Sequence, residues 1–223
     1  MNPFNIKIKL NKGMTHSTLT QGHAEYCRGM TYIELIVVLG IFSVLSSVAI
    51  YNYGQFQDKV DIKNLASDIA LKIVKAQKAS LSGQLPKVAV PSNWKPAYGV
   101  YFKLISPGSN KSLIYFADVD QGYDYDDGTF CASPGTGECV EKINITKGNV
   151  ISDLSVYYIG NPTPTSLAGS DLTVTFSRIR SGGVFQSSGS LGANIDYVQI
   201  SILSPRGSTS LVKIYPSGRV QIN

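Results

Sequence analysis

Past residue 29 the chain has no histidine; its two, His16 and His23, both lie in the leading segment. Without that segment the remainder cannot build a Ser-His-Asp or Cys-His catalytic unit, nor a histidine-ligated metal site. Carboxylate chemistry survives this exclusion. Cysteine is nearly as scarce. Of three residues, Cys27 belongs to the leading segment and only Cys131 and Cys139 lie beyond it. Charge is thin, at 16% of residues, and its imbalance is local. Residues 1 to 29 carry Lys7, Lys9, Lys12 and Arg28 against Glu25, whereas the rest holds 16 basic and 14 acidic side chains. The net charge of +5 therefore belongs mainly to the N-terminal segment, and nucleic acid is not indicated as a partner.

What is present begins with a long apolar run. From Met30 to Tyr53 the only charged side chain is Glu34. About 20 apolar residues suffice for a helix to cross a bilayer. The Lys/Arg excess ahead of the run predicts a cytoplasmic N-terminus and an exported C-terminal part. Three readings compete. One is a secretory signal with Ser47-Val48-Ala49 as its cleavage site, against which stand the long leader and the charge inside the run. A second is a plain membrane anchor, which leaves Glu34 unexplained. The third is a leader cut just ahead of the run, at Gly29-Met30.

Gly29 followed by Met30-Thr31-Tyr32-Ile33-Glu34-Leu35-Ile36-Val37-Val38 resembles the class III signal of type IV pilins and pseudopilins. The resemblance covers about a tenth of the chain and departs twice from the pattern: Met30 stands where Phe is usual, and Tyr51 where many members have a helix-kinking proline. It implies that a prepilin peptidase cleaves after Gly29 and methylates the new amine of Met30. It also implies that Glu34, fifth residue of the mature chain, pairs during assembly with the amine of a neighbouring subunit. The physics of the residues agrees. A lone carboxylate in hydrocarbon costs on the order of 3 kcal/mol on insertion scales. Glu34 lies one turn from Met30 on the same helix face, so a cationic chain end on an adjacent subunit would offset that cost and set the axial register. The competing reading has Glu34 near the membrane edge, reaching water with no partner. Gly29 suits a scissile bond because it admits close approach of the peptidase.

After Tyr53 the run turns amphipathic. Phe56, Val60, Ile62, Leu65, Ile69, Ile73 and Ala76 recur at three- and four-residue spacing, which predicts a core-facing stripe. Asp58, Lys59, Asp61, Lys63, Asp68, Lys72, Lys75 and Lys78 line the other face as a solvated surface, with Asp68 and Lys72 placed for an i, i+4 pair. Gly83 and Pro86 supply a stop. A continuous helix from Met30 to Ser82 would measure roughly 80 Å. From Tyr98 the period becomes two. Strands are predicted over Tyr98 to Ile105, Ser112 to Ala117, Cys139 to Thr146, Val150 to Tyr158, Leu172 to Arg178, Ile195 to Leu203, Ser208 to Tyr215 and Arg219 to Ile222, with short turns that imply antiparallel pairing. Ser181 to Gly192 reads as a flexible Gly/Ser loop. The expected fold class is α+β, a long N-terminal helix packed on an antiparallel sheet. Its expected divisions are a leader over 1-29, a membrane or filament-core helix over 30-53, an amphipathic continuation over 54-83 and an exported β-rich domain over 84-223. That agrees with the pilin fold. Leu211 to Val220 resembles the last hairpin of H-type pseudopilins, as does Thr175-Phe176-Ser177-Arg178 more weakly.

Two local constellations remain. Ala117 to Asp127 places Asp118, Asp120, Asp124, Asp126 and Asp127 around Gly122. Alternating carboxylates with a Gly turn suit an oxygen-seeking cation, so Asp118, Asp120, Asp124 and Asp126 are the candidate Ca²⁺ ligands. The spacing is one residue short of the EF-hand pattern, and an exposed acidic turn between strands is the alternative. Cys131 and Cys139 enclose a short loop. In an oxidising compartment they are expected to form a disulfide; two separate thiols are the alternative.

The function expected from this reading is structural rather than enzymatic: a minor pilin or pseudopilin of a type IV pilus or type II secretion-like system. No cofactor is required. Its implied partners are the prepilin peptidase, other pilins, an inner-membrane assembly platform and the lipid bilayer, with the chain passing from the cytoplasmic membrane into a filament. The alternative is a membrane-anchored exported binding protein or adhesin that never polymerises. A carboxylate-dependent exported hydrolase is a third class, disfavoured because its acids share one local turn.

Overall fold

The computed structural model describes residues 29–223, apart from 87–94, 105–107, 127–130, 132, 134, 136 and 181. The residues ahead of Gly29, including Cys27, lie outside the described residues, as does Asp127. Two compact units divide the chain, Met1–Ser46 and Ser47–Asn223. One helix, α1 (Tyr32–Ser82), contributes to both.

The helix starts and stops for local reasons. Thr31 and Glu34 exchange bonds at its N-terminus: the Thr31 hydroxyl accepts from the Glu34 N–H at 3.3 Å, and Glu34 Oε2 accepts from the Thr31 N–H at 3.5 Å. This is a capping box, which satisfies two orphan donors of the first turn. At the other end Gly83 takes φ 64°, and its N–H reaches the Ser80 carbonyl at 3.1 Å while Gln84 N–H reaches Ala79 at 3.0 Å. Those two bonds are the Schellman closure, which favours a residue without Cβ at that position.

In the second unit the helix buries Ile62, Ala66, Ile69, Ile73, Ala76 and Ala79. The 3–4 spacing is as expected, with small alanines letting the helix approach the strands closely. Phe56, 65% exposed, stays outside this core. The charged face is also less uniformly solvated than expected. Lys72 Nζ bonds Glu141 Oε1 and Oε2 at 2.7 and 2.8 Å, rather than pairing with Asp68 one turn away. Lys147 bonds Asp61 at 2.6 Å.

The described residues beyond the helix form ten strands in two antiparallel sheets, where the sequence reading expected one sheet. The first has the order β3-β2-β1-β6-β7, from β1 (Ala97–Lys103), β2 (Ser112–Asp118), β3 (Cys139–Asn144), β6 (Asp171–Phe176) and β7 (Gly183–Gln186). The second has the order β10-β9-β8-β4-β5, from β4 (Val150–Tyr158), β5 (Asn161–Ser166), β8 (Ile195–Leu203), β9 (Thr209–Ile214) and β10 (Val220–Ile222). Side chains alternate across each strand. Val100, Phe102, Leu113 and Val174 therefore meet Leu154, Val198, Ile200 and Val212 in one core that also takes the buried stripe of α1. Eight of the strands were legible as period-two runs, and two were not. Asn161–Ser166 is polar, holds Pro162 and Pro164, and is exposed throughout; it pairs on one side only, where prolines are tolerated. Gly183–Gln186 falls inside the segment expected to be loop, yet it pairs with β6 from Gly183↔Phe176 to Gln186↔Thr173.

The first sheet carries a second, smaller core on its outer face: Tyr101, Ile114, Phe116, Cys131 and Cys139, with Tyr125 packed against them. Gly99 matters to it. A Cβ there would come within 2.6 Å of the Phe116 ring and 2.8 Å of the Val174 carbonyl oxygen. The bare backbone is what lets the ring of its cross-strand partner lie over β1.

Candidate functional site

The apolar start of α1 and the acidic turn are the two places where sequence-selected residues gather. Large apolar side chains from Met30 to Ile50 are exposed, Ile33 at 72% and Ile50 at 73%. The helix is long and apolar enough to cross a membrane, by length and composition. A surface of this kind needs lipid or protein to cover it. Gly29 and Met30 precede the helix, and a Cβ on Gly29 would meet nothing within 4 Å. Glu34 is the sole acid of the first turn, bonded to the Thr31 backbone as described. The T-x-x-E signature of that cap was present in the sequence, and it supplies an intrachain role for Glu34 beside any intersubunit one. Further along, the Ser43 hydroxyl donates to the Leu39 carbonyl at 2.7 Å, so a polar group in the run is satisfied within the helix.

The acidic turn follows directly from β2. Asp118, last residue of that strand, is fully buried. Its Oδ1 accepts from the Gln121 N–H at 2.7 Å and its Oδ2 from the Tyr123 N–H at 3.2 Å. Those two donors belong to non-glycine residues at φ 72° and 63°, a left-handed geometry that needs local support. Asp120 accepts from the Gly122 N–H at 2.9 Å. Glu138, 6% exposed, accepts from the Val119 N–H at 2.9 Å and the Asp126 N–H at 3.4 Å. The carboxylates thus replace the hydrogen bonds that a turn backbone leaves unmade. The turn is in turn tied to the sheet: the Thr175 hydroxyl donates to the Tyr123 carbonyl at 2.7 Å and Gln186 Nε2 to the Gly122 carbonyl at 3.0 Å.

Of the four expected cation ligands, the structure gathers Asp118 and Asp120, and joins Glu138 to them. One ligand atom from each lies within 4.8 Å of the others. Asp124 and Asp126 are outside that group, though Asp126 shares a hydrogen bond with Asp120. Glu138 was not selected from sequence, being far along the chain. Its signal was the strand register: Phe116 faces Cys139, so the residue before Cys139 comes back beside the end of β2. Cys131 and Cys139 form a disulfide, with Cα atoms 5.6 Å apart, which returns the chain to that point.

Burial dominates the electrostatics. It raises the Asp118 carboxyl to about 6, against the backbone donors that favour its charged form. It raises Glu138 to about 7 in the same way. Burial also raises Asp126, whereas the Gly122 N–H holds Asp120 below its ordinary range. Unfolded Asp and Glu titrate near 4. Raised folded values mean that Asp118 and Glu138 contribute stability fully below about pH 4 and lose it as pH rises through 6 and 7. Without divalent ions, the melting temperature is therefore expected to fall between pH 4 and 7.5, followed by circular dichroism. The calcium expectation is decided in the same titration: CaCl₂ restores stability at the upper end if these carboxylates take the ion, and leaves the curve unchanged if they serve only the backbone.

Among curated proteins the chain is similar to two fimbrial proteins of Pseudomonas aeruginosa, each 27% identical over 96 residues. The match covers 43% of this chain and 62% of each relative, so the chain spans less than two thirds of the length of the proteins it matches. No family model matches, and no solved structure does. The likeness is distant. Together with a long apolar N-terminal helix packed on antiparallel sheets, it is consistent with a pilin-like architecture and supports a structural role over an enzymatic one.

Proposed function

We propose that this chain is a minor pilin or pseudopilin, matured by cleavage after Gly29, methylated on Met30 and built into a filament through the start of α1. The observation that carries the reading is Glu34: the one charge in an exposed apolar helical run, one turn from Met30, which itself directly follows Gly29. The similarity to fimbrial proteins supports filament assembly with other pilin subunits. The chain would begin as a single-pass protein of the cytoplasmic membrane, with residues 84-223 exported, and end in an extracellular or periplasmic filament. Mechanically, the exposed apolar surface moves from lipid into a bundle of like helices. The change conserves apolar burial and lets the carboxylate meet a cationic chain end in a low-dielectric setting, where the pairing is strongest.

Co-expression with a prepilin peptidase is expected to shorten the chain by its first 29 residues and leave a methylated Met30, read by intact mass and N-terminal sequencing. A full-length product would favour the anchored, non-polymerising binding protein. A new end after Ala49 would mean secretion by an ordinary signal.

A further inference from the structure

We propose that a cleft on the outer face of the first sheet binds a neutral saccharide. The cleft, about 490 Å³, lies between the acidic turn, strands β6 and β7 and the Ser187–Leu191 segment that follows β7. Its size is in the range that small ligands occupy. Its lining has two carboxylates, Asp124 and Asp171, and no Lys, Arg or His. That disfavours phosphates, sulfates and acidic sugars.

The polar groups divide into those that build the cleft and those left over for a ligand. Asp171 builds it, accepting from the Ser188 N–H at 2.6 Å and the Ser188 hydroxyl at 2.7 Å. Gln186 is fixed through its Nε2, which is held by the Gly122 carbonyl at 3.0 Å, so its Oε1 is presented in a set plane. Thr173, 2% exposed, brings its hydroxyl-bearing side chain to the cleft lining. The Asp124 carboxylate lines the cleft as well, from the acidic turn. The Tyr125 ring closes one side, held rigid against Tyr101 at 5.1 Å and Phe116 at 5.5 Å between ring centres. An acceptor-only carboxylate, an amide oxygen and a hydroxyl beside an immobilised aromatic ring match an uncharged pyranose: its hydroxyls both donate and accept, and its C–H groups are apolar. The Gly/Ser segment, unassigned by the filament reading, supplies short adaptable hydroxyls at the rim, Ser190 among them.

The test uses the full chain in a sugar-free detergent, whether or not it polymerises. It is titrated calorimetrically with neutral methyl hexosides and disaccharides, with sialyllactose as the acidic comparison and with CaCl₂ alone. At least one neutral saccharide is expected to saturate in the millimolar range, and Asp124→Asn and Ser190→Trp each to weaken it by about tenfold or more at unchanged melting temperature. The second variant fills the cleft from an exposed loop, so it leaves the fold intact even if the first does not. Failure of every neutral sugar to saturate overturns the proposal. So does saccharide binding that both variants leave unchanged, or heat with Ca²⁺ only.

Discussion

Replacing Glu34 with alanine is expected to cut incorporation into filaments by about tenfold or more while the chain still enters the membrane. The two effects separate because they draw on opposite terms. A carboxylate in the apolar run costs on the order of 3 kcal/mol to insert, so the alanine variant inserts at least as well as the parent. Assembly loses the pairing with a neighbouring amine, and a loss of about 1.4 kcal/mol already means a factor of ten. The capping box adds a confounding role, since Glu34 also accepts from the Thr31 N–H. Glu34→Gln resolves it. Glutamine serves in the same cap, so it preserves the helix start while removing the charge. If charge pairing governs assembly, both variants fail alike. Should the glutamine variant assemble like the parent, the cap alone explains the residue and the intersubunit role is lost. The fraction of chain in sheared filaments against the membrane fraction, by immunoblot, reads both.

Converting Cys131 and Cys139 together to serine is expected to lower stability by about 2–3 kcal/mol, the chain-entropy value for so short a loop. For a domain of this size that is on the order of 5–10 °C in melting temperature. The loss is concentrated in one place. Both cysteines belong to the small core with Tyr101, Ile114 and Phe116, and Glu138 beside Cys139 braces the turn through Val119. Hydrogen exchange should therefore quicken over the turn and β3 before it does in β8 and β9, whose core is separate. Alkylation of the matured parent without reductant should leave its mass unchanged. Uniform loosening of both sheets, or no loss of stability, would mean that the bridge is not what holds the outer face.

How much could be read from sequence varied by element. α1 was legible because its signals are local: a long apolar run, a 3–4 apolar spacing and a Gly stop with Pro behind it. β4 and β8 were legible to the residue because Leu154 and Val156, and Val198, Ile200 and Ile202, recur at every second position and all lie in the core. β5 was hidden because its residues are polar and exposed, and β7 because Gly and Ser dominate its flanks. Both acquire strand geometry only from a partner that propensity does not reveal. Lys72 shows the same limit at the level of a pair. Helix spacing offered Asp68, but the sheet brought Glu141 to 2.7 Å.

Sequence alone determined the membrane-length apolar run with its single acid, the α+β order of elements and the candidate disulfide, because each is set by spacing within a short stretch of chain. Tertiary structure decided that there are two sheets rather than one, that Glu138 joins Asp118 and Asp120, and that the cleft beside Tyr125 exists. Those facts depend on which distant strands pair and in what register, and register is fixed by the collective burial of two faces rather than by any one segment.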